Sequence, residues 1–188
     1  MELLGLDIGF GFTKATNGRD HLMFKSLIGE AEELQFRSDF ALTSAAESLH
    51  VTIDGKSYFV GDFAEKQSNV RHYTLDQDKL INDFLKVLSL TVVGLFSEKY
   101  VPLHLVSGLP VVYFRDYREK FSQVLMGHHE LTFHKPDGTE VERRLNISKL
   151  RMVPQPFGSL LNHLLDENGK MANRELARQK VGGVDIGF

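Results

Sequence analysis

Hydrophobic and polar residues alternate in short blocks over the first 25 positions of the chain. Residues 3–8 form an aliphatic run, and residues 12–16 form a second run. Asn17-Gly18 is a strong tight-turn signal, and it precedes a third run at residues 21–25. The pattern predicts three antiparallel strands joined by short turns.

The following segment, residues 27–75, lacks a clear period except for one hairpin pattern. Residues 51–53 and 57–60 are strand-like and flank Asp54-Gly55, a typical hairpin turn. We therefore interpret residues 27–75 as a small inserted subdomain.

From residue 76 onward, helical and strand patterns alternate. Apolar residues at helical spacing predict a long amphipathic helix over residues 76–99. A short apolar run at residues 103–106, ended abruptly by Gly108-Leu109-Pro110, fits a buried parallel strand. The remaining predicted elements are a helix over 113–126, a polar hairpin over 129–148, a strand over 149–153, and a helical stretch over 156–179 interrupted at Asn168-Gly169.

Three antiparallel strands followed by two parallel crossovers predict an α/β fold. The expected architecture is a ribonuclease-H-like domain with a mixed five-stranded sheet. Helices are expected on both faces of this sheet.

Composition excludes several classes of protein. The 188 residues are 42% hydrophobic and 25% charged, with no cysteine and a formal net charge of −3. The lack of cysteine excludes disulfide frameworks, cysteine-ligated zinc and thiol nucleophiles. The slightly acidic balance argues against direct nucleic-acid binding, since that needs clustered Lys and Arg. With no basic leader and no long apolar run, we expect a cytoplasmic protein with no membrane partner.

One short segment is repeated at opposite ends of the chain. Residues 5–10 and 183–188 match in five of six positions, with Val184 in place of Leu6. This separation is domain-sized, so it favours duplication of a whole domain over a solenoid repeat. We expect residues 1–180 to form a first domain and residues 181–188 to begin a second. A chance match is the alternative.

The first strand-turn-strand unit carries the candidate chemistry. Gly9 and Gly11 lie at the tip of the predicted hairpin, where missing Cβ atoms let backbone N–H groups approach an anion. Asp7, at the end of the first strand, can hold a hydrated magnesium ion through its waters. Lys14 can place a positive charge on a phosphate. Alternatively, the glycines only permit a turn, Asp7 caps it, and Lys14 is solvated.

Three histidines, His128, His129 and His134, raise the question of a metal site. The five-residue step between the last two does not place them on one helical face, as a zinc-protease pattern requires. Alternating apolar residues around Leu131 and Phe133 favour a strand instead.

The segment over residues 7–14, Asp-Ile-Gly-Phe-Gly-Phe-Thr-Lys, resembles the phosphate-1 loop of the actin superfamily. It is most similar to the actin-like proteins of the ParM/StbA plasmid-segregation type. The resemblance extends over essentially the whole chain, because further segments are similar to that family in the same order. They are residues 26–29, 59–62, 106–110, 153–158, and 184–188, the last looking like the start of the phosphate-2 loop.

This resemblance implies ATP and Mg²⁺ as cofactors and assigns roles to individual residues. Catalytic roles fall on Gln155, Asp7 and Asp185, and the two aspartates are also the implied magnesium positions, Asp7 acting through water. Gln155 would position the attacking water. The implied nucleotide-binding residues are Gly9, Phe10, Gly11, Phe12, Thr13, Lys14 and Gly187.

The setting of Gln155 suits that role, because it lies between two prolines at a predicted helix N-terminus, and a neutral amide is not repelled by a phosphate. Alternatively, Gln155 is an incidental residue between two prolines.

The resemblance also implies a function. The intact protein would be an ATPase that hydrolyses ATP to ADP and phosphate and forms nucleotide-dependent filaments. These would segregate plasmid DNA, with the protein itself and a DNA-binding adaptor as partners. Because the second domain and adenine-binding segment are missing, we expect residues 1–188 alone to be inactive or very weak. The alternatives are another phosphotransferase of the superfamily (sugar or acetate kinase, heat-shock chaperone ATPase) and a non-catalytic assembly module.

Overall fold

The computed structural model of the protein describes residues 1–31, 48–68, 71–72 and 78–183. Ten strands in these ranges form one sheet. In chain order they are β1 (Glu2–Ile8), β2 (Phe12–Thr16), β3 (His21–Lys25), β4 (Ile28–Glu30), β5 (Leu49–Ile53), β6 (Lys56–Val60), β7 (Arg71–His72), β8 (Pro102–Leu109), β9 (Gly127–His134) and β10 (Glu140–Pro154). The same ranges contain the helices α1 (Asp62–Gln67), α2 (Asp78–Phe96), α3 (Val111–Leu125) and α4 (Gln155–Leu164).

The sheet begins with the predicted ribonuclease-H-like arrangement, in the order β3-β2-β1-β8-β10. Neighbours among β1, β2 and β3 are antiparallel, whereas β8 runs parallel to both β1 and β10. The mixed α/β fold, with parallel and antiparallel strands in one sheet, is therefore confirmed. The predicted number of five strands is wrong, because the sheet continues through β9, β5, β6, β4 and β7.

The long strand β10 accounts for this extension. It has 15 residues, which the sequence pattern divided into a hairpin arm and a separate fifth strand. Its first half pairs antiparallel with β9, and its second half pairs parallel with β8. The register shifts between Ile147 and Lys149, which is a β-bulge or a similar irregularity. The irregularity interrupts the apolar alternation, so one strand has the sequence pattern of two.

The predicted hairpin within residues 27–75 is confirmed as β5 and β6. Its turn residues, Asp54 and Gly55, have φ angles of 51° and 74°, as a two-residue turn of the I′ type requires. Strand β5 also pairs with β9, so this hairpin continues the main sheet.

The main core lies between the sheet and helices α2 and α3. Alternate residues of β1, among them Leu4 and Leu6, are buried on this side with Leu105 of β8. From α2, Phe84 and Leu88 pack into the same cluster. Both helices start and end within three residues of the predicted bounds. In the described part of the chain, no helix is both long and apolar enough to cross a bilayer.

Helix α4 is shorter than the sequence pattern predicted, because it ends at Leu164 instead of continuing to residue 179. The Asp166 carboxylate accepts backbone N–H groups from Asn168 and Lys170, and Gly169 has a φ of 72°. These interactions fold the chain into a tight loop, which stops the helix. A short 3-10 turn follows at Leu176–Arg178.

Candidate functional site

The hairpin between β1 and β2 has a closed base and an open tip. Gly9 N–H donates to the Phe12 carbonyl at 3.0 Å, which closes the base. A Cβ atom on Gly9 would lie 3.1 Å from that carbonyl oxygen, so the turn favours glycine here. A Cβ atom on Gly11 would meet nothing within 4 Å. The tip therefore leaves space for a ligand beside the backbone, and Phe10 is exposed there.

The back of this hairpin is held by Ser26, which follows β3. Its N–H donates to the Gly11 carbonyl at 2.9 Å. Its Oγ lies 2.9 Å from Thr13 Oγ1, and both side chains are buried. The sequence pattern assigns Ser26 no role, although the residue directly follows a predicted strand. The pairing is unpredictable from spacing alone because 13 residues separate the partners.

The two candidate charged residues lie side by side on this hairpin. Asp7 and Lys14 are directly opposite each other in the β1–β2 ladder, so their side chains are on the same face of the sheet. Both are exposed. Within the described ranges, neither belongs to an ion pair closer than 4 Å. A positive and a negative group are thus both available to a ligand at this edge.

Gln155 reaches this hairpin from two strands away. It is the first residue of α4, and its Nε2 donates to Asp7 Oδ1 at 2.9 Å. The same Nε2 lies 3.4 Å from the Ile8 carbonyl oxygen. Strand β10 ends at the same edge of the sheet as β1 because the strands β1, β8 and β10 are parallel. Pro156 is tolerated in the first turn of α4, where its missing N–H has no intrahelical partner.

The structure thus brings together most of the residues that the sequence analysis selected. Asp7, Lys14 and Gln155 converge at the tip of β1, beside the turn formed by residues 9–12 and backed by Thr13. The other two, Asp185 and Gly187, lie outside the described residues.

The three histidines lie on β9, as the apolar alternation predicted, and they point to separate partners. His128 Nδ1 is 2.6 Å from Tyr100 Oη, and His129 Nε2 donates to the Leu125 carbonyl at 2.8 Å. His134 Nε2 is 2.7 Å from Thr52 Oγ1. The described residues contain no cluster of three or more His, Cys, Asp or Glu side chains arranged to hold a metal ion.

The strand order and directions define a mixed α/β domain of the ribonuclease-H-like class. A family model described as actin like proteins N terminal domain matches residues 5–158. The chain therefore belongs to this family of actin-like proteins.

Solved structures of similar fold include two ParM proteins and an archaeal actin homolog. A 15-stranded ParM filament from Clostridium botulinum has a TM-score of 0.70 at 22% identity and aligns with 87% of this chain. Bacillus thuringiensis ParM in apo form has a TM-score of 0.70 at 23% identity and aligns with 93% of this chain. An archaeal actin homolog in complex with ADP has a TM-score of 0.63 at 21% identity and aligns with 87% of this chain.

The chain spans about half the length of these structures, since it covers 50%, 51% and 47% of them, respectively. No curated protein matches the sequence. At these identities the structural likeness shows the fold alone.

Proposed function

We propose that this chain is the N-terminal half of an ATP-binding actin-like protein that forms nucleotide-dependent filaments for the segregation of plasmid or other DNA. The observation that carries the proposal is the hydrogen bond between Gln155 and Asp7 beside the open glycine turn. An amide, a carboxylate and free turn space at one sheet edge form a set of groups suited to a magnesium–triphosphate ligand.

The described residues fit ATP and Mg²⁺ on structural grounds. The open space at Gly11 admits a phosphate close to the backbone of residues 9–12, and exposed Lys14 supplies a compact positive charge. Asp7 is exposed and has carboxylate oxygen available for the water shell of Mg²⁺. When bound, the ion neutralises phosphate charge. We include Asp185 and Gly187 as the second half of the site, on the resemblance alone.

Gln155 is the residue that we propose to orient the attacking water. Its Nε2 is engaged with Asp7, so its amide plane is fixed and its Oε1 can accept a hydrogen bond from water. A neutral amide orients water without repelling the γ-phosphate, which suits hydrolysis that depends mostly on positioning. Thr13 supports the turn from behind through Ser26.

Self-association is supported by the fold, because one structure of similar fold is a ParM filament. We propose a cytoplasmic location, and we propose that DNA is reached through an adaptor protein rather than by direct contact. The formal charge of −3 supports the second point, since direct binding of a phosphate backbone relies on excess positive charge.

A binding experiment tests the nucleotide site. Lys14→Gln should weaken the binding of a fluorescent ATP analogue in Mg²⁺ about tenfold or more, because a charge-assisted hydrogen bond contributes ~1.5–3 kcal/mol. The matched control is Arg19→Gln, which removes an exposed cation from the turn at the other end of β2. Equal affinity of the two variants would contradict the proposed phosphate site.

Light scattering with and without ATP tests the filament in the protein that carries both halves. Growth of scattering on addition of ATP supports the proposal. Sugar-dependent release of ADP without scattering would indicate a kinase of the same superfamily. An assembly that forms equally without nucleotide would indicate a non-catalytic module.

A further inference from the structure

Gly108 lies in β8, between the strand that carries Asp7 and the strand that leads to Gln155. Its neighbours Ser107 and Leu109 are buried, in alternation with Leu105, which packs into the core under α2 and α3. Because successive residues of a strand point to opposite faces, position 108 faces the same side as Asp7. Gly108 is therefore below the contact between Gln155 and Asp7.

A side chain at position 108 would collide with Gln155. A Cβ atom placed there would lie 2.9 Å from Gln155 Cγ and 3.4 Å from Gln155 Cα. It would also lie 3.5 Å from the Val153 carbonyl oxygen, which is ordinary contact. The first distance is shorter than two non-bonded carbon atoms normally approach. The second involves the backbone of Gln155, so it limits how far Gln155 can move away from the new side chain.

Backbone conformation does not explain a glycine at this position. The described glycines with positive φ angles include Gly55 and Gly169, and Gly108 is not among them. Its backbone can therefore be adopted by any residue, and a glycine within a strand weakens that strand. The requirement is steric, and the atoms that impose it belong mainly to Gln155.

We propose that Gly108 is a positioning residue that sets the Gln155 amide within hydrogen-bonding distance of Asp7. Without a Cβ atom, the first turn of α4 lies against the end of β8, and Nε2 reaches Asp7 Oδ1 at 2.9 Å. In Gly108→Ala the Gln155 side chain rotates or α4 moves outward, and either change breaks the hydrogen bond. The consequence for catalysis rests on the proposed function, whereas the geometric claim does not.

The geometric claim is tested by NMR on the nucleotide-free protein. The side-chain amide resonance of Gln155 is assigned by its absence in Gln155→Ala. In Gly108→Ala it should move toward its position in Asp7→Ala, where the acceptor is missing. The matched control is Gly5→Ala, on the same face of neighbouring β1, where a Cβ atom would be no closer than 3.7 Å to other atoms. This control should leave the resonance unchanged.

Turnover of Mg²⁺–ATP by the protein carrying both halves tests the catalytic consequence. Gly108→Ala should lower kcat about tenfold or more with little change in KM, since a misplacement of about 1 Å can cost roughly 100-fold. The same substitution in a Gln155→Ala background should have no further effect on kcat, because Cγ is then absent. A purely structural role would lower activity equally in both backgrounds.

The outcomes separate the two proposals. An unshifted Gln155 resonance in Gly108→Ala overturns the positioning role, whatever the protein does with ATP. Failure of the wild type to bind Mg²⁺–ATP overturns the proposed function and leaves the NMR result to decide the geometry. If Gly108→Ala does not fold, adding Gln155→Ala should restore folding. A double variant that also fails to fold would show that the disruptive clash is not with the Gln155 side chain and would overturn the inference.

Discussion

At the scale of single residues, the buried hydroxyl pair of Thr13 and Ser26 links the candidate site to the packed interior. Their oxygens are 2.9 Å apart, and Ser26 also holds the Gly11 carbonyl through its backbone. A buried hydroxyl that loses its partner costs more free energy than a pair replaced together by apolar groups. The pair therefore couples the shape of the turn to the stability of β2 and β3.

Ser26→Ala should lower the free energy of unfolding by ~1–2 kcal/mol, since Thr13 Oγ1 is left buried and unpaired. Thr13→Val should have a similar effect. The double variant should be destabilised by less than the sum of the two. Urea denaturation measures all three, and strictly additive losses would contradict the coupling.

At the scale of elements, helix α4 is held less firmly than the others. It has no buried residue, and Phe157 and Leu161 are 51% and 42% exposed. Gly158 lies in its interior, where a Cβ atom would meet nothing within 4 Å. Intrinsic helix propensity is therefore a larger share of the stability of α4 than of α2, which has a buried face.

Gly158→Ala should raise the free energy of unfolding by ~0.5–1 kcal/mol, because alanine loses less conformational entropy than glycine in a helix. Thermal unfolding followed by circular dichroism measures the change. Gly55→Ala is the opposite case, since its φ of 74° is strained for alanine, and it should lower stability. Equal shifts of the same sign in both variants would contradict these local explanations.

The element scale also shows how far the sequence determines the fold. The hairpin from β1 to β2 and helices α2 and α3 were predictable, because their periods are regular and their turn residues are typical. Strand β10 was not, because the irregularity between Ile147 and Lys149 resembles an end of a strand. The same limit applies to the site: Asp7 and Gln155 could be chosen by resemblance, but the steric role of Gly108 depends on a three-strand arrangement.

At the scale of the whole molecule, one ladder joins the outer strands to the rest of the sheet. Strands β5 and β9 pair through the registers Val51 with Phe133 and Ile53 with Leu131. Beside this ladder the ring centroids of His50 and His134 are 4.3 Å apart, and the ring planes are tilted by 32°. Among the described residues, His50 Nε2 is one of the buried polar atoms without a hydrogen-bond partner. The junction is therefore suited to a neutral His50 imidazole.

Burial lowers the pKa of His50 from 6.5 to about 4, and repulsion from His134 makes a smaller contribution in the same direction. Below pH 6.5 the unfolded chain binds a proton that the folded chain takes up only near pH 4. Stability should thus fall as the pH decreases through this window, by on the order of 1 kcal/mol after allowance for solvent screening. The Glu140 carboxylate lies 3.1 Å from His134 Nδ1, on the far side of this ring pair.

Urea unfolding at pH 5 and pH 7 measures this effect. His50→Gln should reduce the difference in stability between the two pH values. His21→Gln, an exposed histidine at the start of β3, should leave it unchanged. A pH dependence that persists undiminished in His50→Gln would assign it to other groups.

The number of β10 residues that pair with β8 determines where Gln155 lies relative to Asp7. The second half of β10 is paired with β8 from Asn146 to Pro154, and α4 begins at the next position. Deleting one residue between 149 and 154 would invert the faces of the remaining side chains and carry Gln155 away from Asp7. The turn at residues 135–139 lies outside this paired segment. Loop grafts and changes of length in the turn therefore leave the distance between Gln155 and Asp7 unchanged.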